Sequence, residues 1–188
     1  IGIIGENGYM WAVSYLAATG GIGVVVPLDK ELPATDLEQF IRDGEVECIF
    51  FGAKFEPVIQ AIKDSGSTRL SLLVNLDAEE DKEGVQSFRG LLTEGLRAIE
   101  NGERRFLDAV IERDVMGILL FTSGTTGVSK GVMLSHGNIV EDLMASPTLL
   151  RVTPEDIFFS VLPIHHTYEC TCGFLMPLYR GASIAFCE

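Results

Sequence analysis

Short apolar, β-branched runs that alternate with helix-period segments constrain this chain more than any other feature. Ile1–Ile4, Ile22–Val26, Cys48–Phe51 and Leu70–Leu76 each read as a strand. Between them, Tyr9–Thr19 carries Met10, Val13, Leu16 and Ala17 at helical spacing, and Gly20-Gly21 stops that helix. Ala34–Asp43 turns Leu37, Phe40 and Ile41 to one side, and Pro57–Ser65 makes a third helix. Strands that are apolar throughout belong to a sheet covered on both faces, and regular strand–helix alternation makes such a sheet parallel. The expected fold class is therefore α/β, a mostly parallel sheet flanked by helices, with its first portion spanning residues 1–76.

The pattern changes over residues 77–113. Acidic and basic residues interleave there, glycines punctuate them, and Phe88, Leu91, Leu92, Leu96 and Ile99 keep a helical spacing. This segment reads as a charged helical excursion on the surface, its charges a solvated face without a specific partner. Residues 114–188 return to the earlier pattern. Asp114–Thr122 and Gly131–Leu134 are strands, and Ser135 caps a helix that Pro147 ends. Ile157–Leu162 is a strand, Gly173–Tyr179 a helix and Ala182–Phe186 a last strand.

Charge narrows the function classes. A net charge of −13 and a pI near 4.6 exclude the basic face that nucleic-acid backbones require. They leave room for a nucleotide, which one lysine and a few backbone donors can hold. No apolar run is long enough to span a bilayer. The chain opens on Ile1-Gly2-Ile3-Ile4 without methionine or a basic leader, which reads as a strand cut from a longer protein rather than a signal peptide. Cys48, Cys170, Cys172 and Cys187 lack metal-site spacing and read as reduced thiols of a cytoplasmic protein.

Between the two strands of the last portion lies Phe121-Thr122-Ser123-Gly124-Thr125-Thr126-Gly127-Val128-Ser129-Lys130-Gly131. It holds three glycines, five hydroxyls and one lysine in eleven residues. Glycines let backbone N–H groups approach a ligand, hydroxyls add donors, and the lysine supplies a point charge for an anion. The Walker loop is excluded, because Ser129 precedes Lys130, Gly131 follows it, and a strand comes next. The dinucleotide fingerprint is also absent. On composition alone, a phosphate cradle and a plain Ser/Thr/Gly hairpin turn both remain open.

The order of residues goes further. Thr122-Ser123-Gly124-Thr125-Thr126-Gly127-x-x-Lys130-Gly131 resembles the phosphate-binding signature of the adenylate-forming, acyl-activating superfamily. That family usually has proline before the lysine, where this chain has Ser129, which lacks proline's fixed φ. The Gly20-to-Asp29 passage with Pro33 resembles the family's Gly-Gly…Val-Pro-Leu-Asp…Pro marker, about a hundred residues upstream of the loop. Ser135-His136-Gly137-Asn138 resembles its continuation after the loop, with His136 read as structural. Pro163-Ile164-His165-His166-Thr167-Tyr168-Glu169 resembles its acid-site histidine stretch, and the His-x-Tyr-Glu run looks most like bacterial long-chain fatty acyl-CoA synthetases. Taken by themselves, His165 and His166 lack a third metal ligand at suitable spacing, and no Gly-x-Ser-x-Gly elbow serves a hydrolase.

The resemblance implies a partial large amino-terminal domain of the acetyl-CoA synthetase-like type. It implies ATP, Mg²⁺ and coenzyme A, and on resemblance alone it implies a long-chain fatty acid as the acid. Thr122, Ser123, Gly124, Thr125, Thr126, Gly127 and Lys130 would hold the β- and γ-phosphates. Lys130 would also offset charge on leaving pyrophosphate, and His166, with His165 as its neighbour, would stand where the carboxylate meets ATP. The metal would travel with the nucleotide, with no protein ligand assigned. Phe174-Leu175-Met176 fits an acyl pocket wall, as it would fit a core helix. The family's Tyr-Gly-x-Thr-Glu stretch and its later aspartate do not occur here, nor does its small carboxyl-terminal domain with the catalytic lysine. The chain is therefore expected to be inactive alone, as part of an acid–thiol ligase whose whole form has room for peripheral membrane association. The alternatives are a stand-alone nucleotide- or phosphate-binding module and a non-binding structural domain.

Overall fold

β1 (Gly2–Ile4) is flanked by β2 (Val26–Pro27) on one side and β3 (Cys48–Phe51) on the other, with β4 (Leu72–Asn75) and β5 (Gln86–Ser87) beyond β3. Every pairing in this five-stranded sheet is parallel. The computed structural model describes residues 1–122 and 129–187. The order 2-1-3-4-5 is a doubly wound one, in which the chain moves first to one side of β1 and then to the other.

Alternation along the strands fills two separate cores. Ile4, Ile49, Phe51 and Leu73 point to one face, where α2 (Ala34–Asp43) supplies Leu37, Phe40 and Ile41 and α3 (Glu56–Asp64) supplies Ile59 and Ile62. Ile3 points to the opposite face, against Trp11 and Tyr15 of α1 (Tyr9–Ala17). There Trp11 and Tyr15 stack at 5.4 Å, and Phe174 meets both edge-on at 6.2 and 5.7 Å. Each such aromatic pair adds about 0.5–1.5 kcal/mol beyond its area.

β6 (Met116–Thr122) and β7 (Lys130–Ser135) form an antiparallel hairpin that pairs Phe121 with Gly131 and Thr122 with Lys130. A parallel bridge joins Val25 to Ile118: Val25 N–H donates to Gly117 O and Leu119 N–H to Val25 O, both at 2.9 Å. β6 thus runs alongside β2 and extends the sheet past it. The charged segment holds β5 and α4 (Phe88–Glu100), whose Phe88 is buried while Leu92, Leu96 and Ile99 are exposed. α5 (His136–Ala145) follows the hairpin, capped by Ser135 and Asn138 in a reciprocal box. β8 (Ile157–Ser160) pairs in parallel with β9 (Ser183–Phe186), and α6 (Met176–Arg180) lies between them.

Three elements depart from the sequence reading. The second strand starts at Val26 rather than Ile22, because Ala18–Ile22 forms a wide π-type turn that Gly21 breaks at φ +112. Ile22 is left exposed. In α1 the buried residues are Trp11, Ala12, Ser14 and Tyr15, while Leu16 faces solvent. The large rings, not the aliphatic stripe, set the orientation of that helix. The helix expected from Gly173 begins earlier, as a π-type turn over Glu169–Leu175.

Candidate active site

Because β2 and β6 run parallel, they deliver their carboxyl ends to the same edge of the sheet. β2 ends in Pro27-Leu28-Asp29 and β6 in Thr122. Crevices of this kind, outside the carboxyl ends of strands, are where open α/β sheets hold ligands. β8 adds its own end there, through Pro163 and Ile164 to His165 and His166. A cavity of about 330 Å³ lies among them, bounded by Pro27, Asp29, Thr122, Ser129, His165 and His166.

The expected phosphate ligands divide in two. Thr122 lines the cavity, beside Ser129, which is not among the expected ligands, and Lys130 opens β7 directly across from Thr122. Lys130 is exposed, and among the described residues no carboxylate pairs with it. Ser123, Gly124, Thr125, Thr126 and Gly127 lie outside the described residues. Phe121, one residue before Thr122, stacks on Phe40 of α2 at 4.4 Å and 9° between planes. This contact fixes the root of the hairpin against α2.

Both histidines reach the cavity with different surroundings. His165 is half-buried, with Nε2 3.5 Å from Asp29 Oδ1. Burial holds its imidazole below the ordinary value; Asp29 opposes that shift, and His166 and Lys30 add to it. His166 is exposed, and its Nδ1 accepts the Tyr168 N–H at 3.4 Å. That leaves Nε2 to carry the ring proton or meet a ligand. The His166 backbone is held at both ends: its N–H donates to Pro163 O, and its carbonyl accepts from Cys170 N, each at 2.9 Å. Glu169 turns inward, where its carboxylate accepts the Ser160 hydroxyl at 2.6 Å.

His136 lies apart from the cavity. Its N–H donates to Val115 O, and its ring covers Gly117 so closely that a Cβ there would stand 2.6 Å from Cε1. All three residues read as an acyl wall are buried in core packing, Phe174 and Leu175 in one cluster and Met176 in another. Leu175 lines a second cavity of about 260 Å³ with Leu120, Leu134 and Ile139. Asp29 and Asn7 were not singled out by sequence reasoning. Asp29 lies within the Val-Pro-Leu-Asp passage at a strand end, whereas Asn7 reads as an ordinary turn residue. Among the described residues no group of three or more His, Cys, Asp or Glu is placed to hold a metal ion. No described helix is long and apolar enough to cross a membrane.

Known proteins resemble this chain in sequence and in fold. A family model described as "AMP-binding enzyme" matches residues 1–188. The chain is 29% identical over 186 residues to a CoA ligase of Gibberella moniliformis, covering 99% of this chain and 28% of that protein. It is 30% identical over 195 residues to long-chain-fatty-acid–CoA ligase 1 of Cavia porcellus, again covering 99% of this chain and 28% of the relative. Among solved structures, ATP-bound MatB from Rhodopseudomonas palustris aligns with a TM-score of 0.72 at 26% identity, over 100% of this chain and 35% of that one. The chain thus spans under a third of the length of these two curated relatives.

Proposed function

Because the chain belongs to the AMP-binding enzyme family, we propose that it is the part of an ATP-dependent acyl-CoA ligase that grips the nucleotide phosphates and presents the acid to them. The observation that carries this reading is the meeting of both flanks of the hydroxyl-rich loop, Thr122 and Ser129, with His165 and His166 in one cavity.

The chemistry has two steps. A carboxylate oxygen attacks the α-phosphorus of ATP, the bond to the bridging oxygen breaks, and pyrophosphate leaves; Mg²⁺ carried by the nucleotide would offset phosphate charge. The thiolate of coenzyme A then attacks the acyl carbonyl, and AMP departs. Such transfers depend on positioning and on charge neutralisation. In this reading Thr122, Ser123, Thr125 and Thr126 donate hydroxyls to the β- and γ-phosphates, while Gly124 and Gly127 admit backbone donors. Lys130 offsets charge on departing pyrophosphate. His166, with Nδ1 engaged by Tyr168 N–H, offers Nε2–H to a carboxylate oxygen.

A long-chain fatty acid is the favoured acid. Support comes from the His166-x-Tyr168-Glu169 run, from the name of the Cavia porcellus relative, and from the apolar cavity beside Leu175. These 188 residues alone are expected not to complete the reaction, since their sequence lacks a Tyr-Gly-x-Thr-Glu stretch. ATP–pyrophosphate exchange with a panel of fatty acids tests the reading in the whole protein that carries this chain. Lys130→Ala and Thr126→Ala should both slow exchange; unchanged rates in both would remove the loop assignment. Robust exchange by the 188 residues alone would remove the expectation of inactivity.

A further inference from the structure

Asn7 joins parts of the chain 153 residues apart. It stands past the carboxyl end of β1, in the turn Glu6-Asn7-Gly8 that leads into α1. Its Nδ2 donates to Ser160 Oγ at 2.9 Å and to Leu162 O at 2.6 Å. Its Oδ1 accepts the Ile164 N–H at 3.0 Å. One side chain therefore fastens three groups on either side of Pro163. It does not cap its own helix: the N-cap of α1 is Gly8, with no side-chain bond.

The chemistry selects an amide. Only asparagine or glutamine puts two donors and an acceptor on one neutral group, and asparagine does so on the shorter stem. Ser160 gives its hydroxyl hydrogen to Glu169 Oε1, so its oxygen must receive a hydrogen from elsewhere, and Asn7 provides it. Ser160 and Glu169 are 1% and 5% exposed, so water does not substitute readily. The chain Asn7→Ser160→Glu169 holds the start of the turn after His166, while the Ile164 bond holds the residue before His165. Both flanks of the histidine pair are thus tied to the end of β1.

We propose that Asn7 is a positioning residue for acid activation, setting where the His166 imidazole stands relative to Thr122 and Ser129 in the cavity. It acts through Ile164 on one side and through Ser160 and Glu169 on the other. This rests on the reading of His166 given above. Displacement of a reacting group by about 1 Å costs on the order of 100-fold in rate, so a lost clamp should show in turnover rather than in nucleotide binding.

The test is a double-mutant cycle in the whole protein that carries this chain, read by ATP–pyrophosphate exchange. Asn7→Ala should lower kcat by about 10- to 100-fold with KM for ATP held within about twofold. His166→Ala should also slow exchange, and the double variant should be no slower than His166→Ala alone. If the two losses multiply, Asn7 does not act through His166 and the proposal fails while the His166 reading stands. Wild-type speed in Asn7→Ala has the same meaning. A His166→Ala enzyme at wild-type speed overturns both together. Should Asn7→Ala lose its native circular dichroism, Asn7→Asp enters the same cycle, since it keeps the shape and the acceptor but loses both donors.

Discussion

Nε2 of His165 stands 3.5 Å from Oδ1 of Asp29, joining the end of β8 to the end of β2 across the candidate site. Burial is the larger influence on this imidazole and lowers its pKa, and the aspartate only partly restores it. The folded protein therefore keeps His165 neutral at pH values where the unfolded chain, titrating near 6.5, is already protonated. Stability from this group is complete above the unfolded value and declines as pH falls below it, until the folded pKa is reached. Urea midpoints taken from about pH 8 to about pH 5 should show the decline, and His165→Asn should flatten it. Asp29→Asn should lower the His165 pKa further, as followed by NMR of the ring Cε1 proton.

Gly173 and Glu169 lie one helical turn apart, and a Cβ at Gly173 would stand 2.5 Å from the Glu169 carboxyl carbon. The carboxylate cannot swing away freely, being buried and bonded to Ser160. Gly173→Ala should destabilise the fold by about 1–3 kcal/mol, the usual range for overpacking. In the double variant with Glu169→Ala the two losses should sum to less than their separate values. Equilibrium denaturation of the four proteins checks this.

The elements that declared themselves in the sequence are those whose signal is local. Cys48–Phe51 and the core stripe of Leu37, Phe40 and Ile41 are contiguous or periodic, and the structure buries the stripe together with Ile49 and Phe51. β5 was not legible, because Gln86-Ser87 carries no apolar pattern; Asp81 Oδ1 holds the Ser87 N–H and hydroxyl instead. The buried face of α1 is not legible in the sequence, because Trp11 and Tyr15 are fixed by Phe174, more than 150 residues away. In the candidate site, the loop and the paired histidines were visible from the order of their residues. Asn7 was not, since all three of its partners lie in a distant segment that only the folded chain brings near.

Cys48 and Cys170 should resist alkylation in the native protein. Burial pushes each thiol up to about 11 from an ordinary value of 9.0. Two pH units cut the thiolate fraction near neutrality by about 100-fold, and the thiolate is the reacting species. Iodoacetamide labelling followed by mass spectrometry should find these two positions at least about 100-fold slower in native buffer than in denaturant. Comparable rates in both conditions would contradict the desolvation of these two thiols, Cys170 buried and Cys48 half-buried.

Phe40 tests whether the root of the phosphate loop is held from outside the loop. Its ring stacks on Phe121, yet it belongs to α2 and contributes no group to the hairpin. Phe40→Leu keeps an apolar side chain in the core but removes the ring contact. It should cost about 1–3 kcal/mol in total, and a cycle with Phe121→Leu should assign about 0.5–1.5 kcal/mol of that to the pair itself. If the stack also fixes Thr122 and Ser129 at the mouth of the cavity, Phe40→Leu should raise KM for ATP in the whole protein by several-fold at temperatures where it remains folded. A loss of stability with KM unchanged would limit the stack to core packing. A rise in KM would show that α2 shapes the grip, through the stack on Phe121 and through Phe40's own place in the cavity wall.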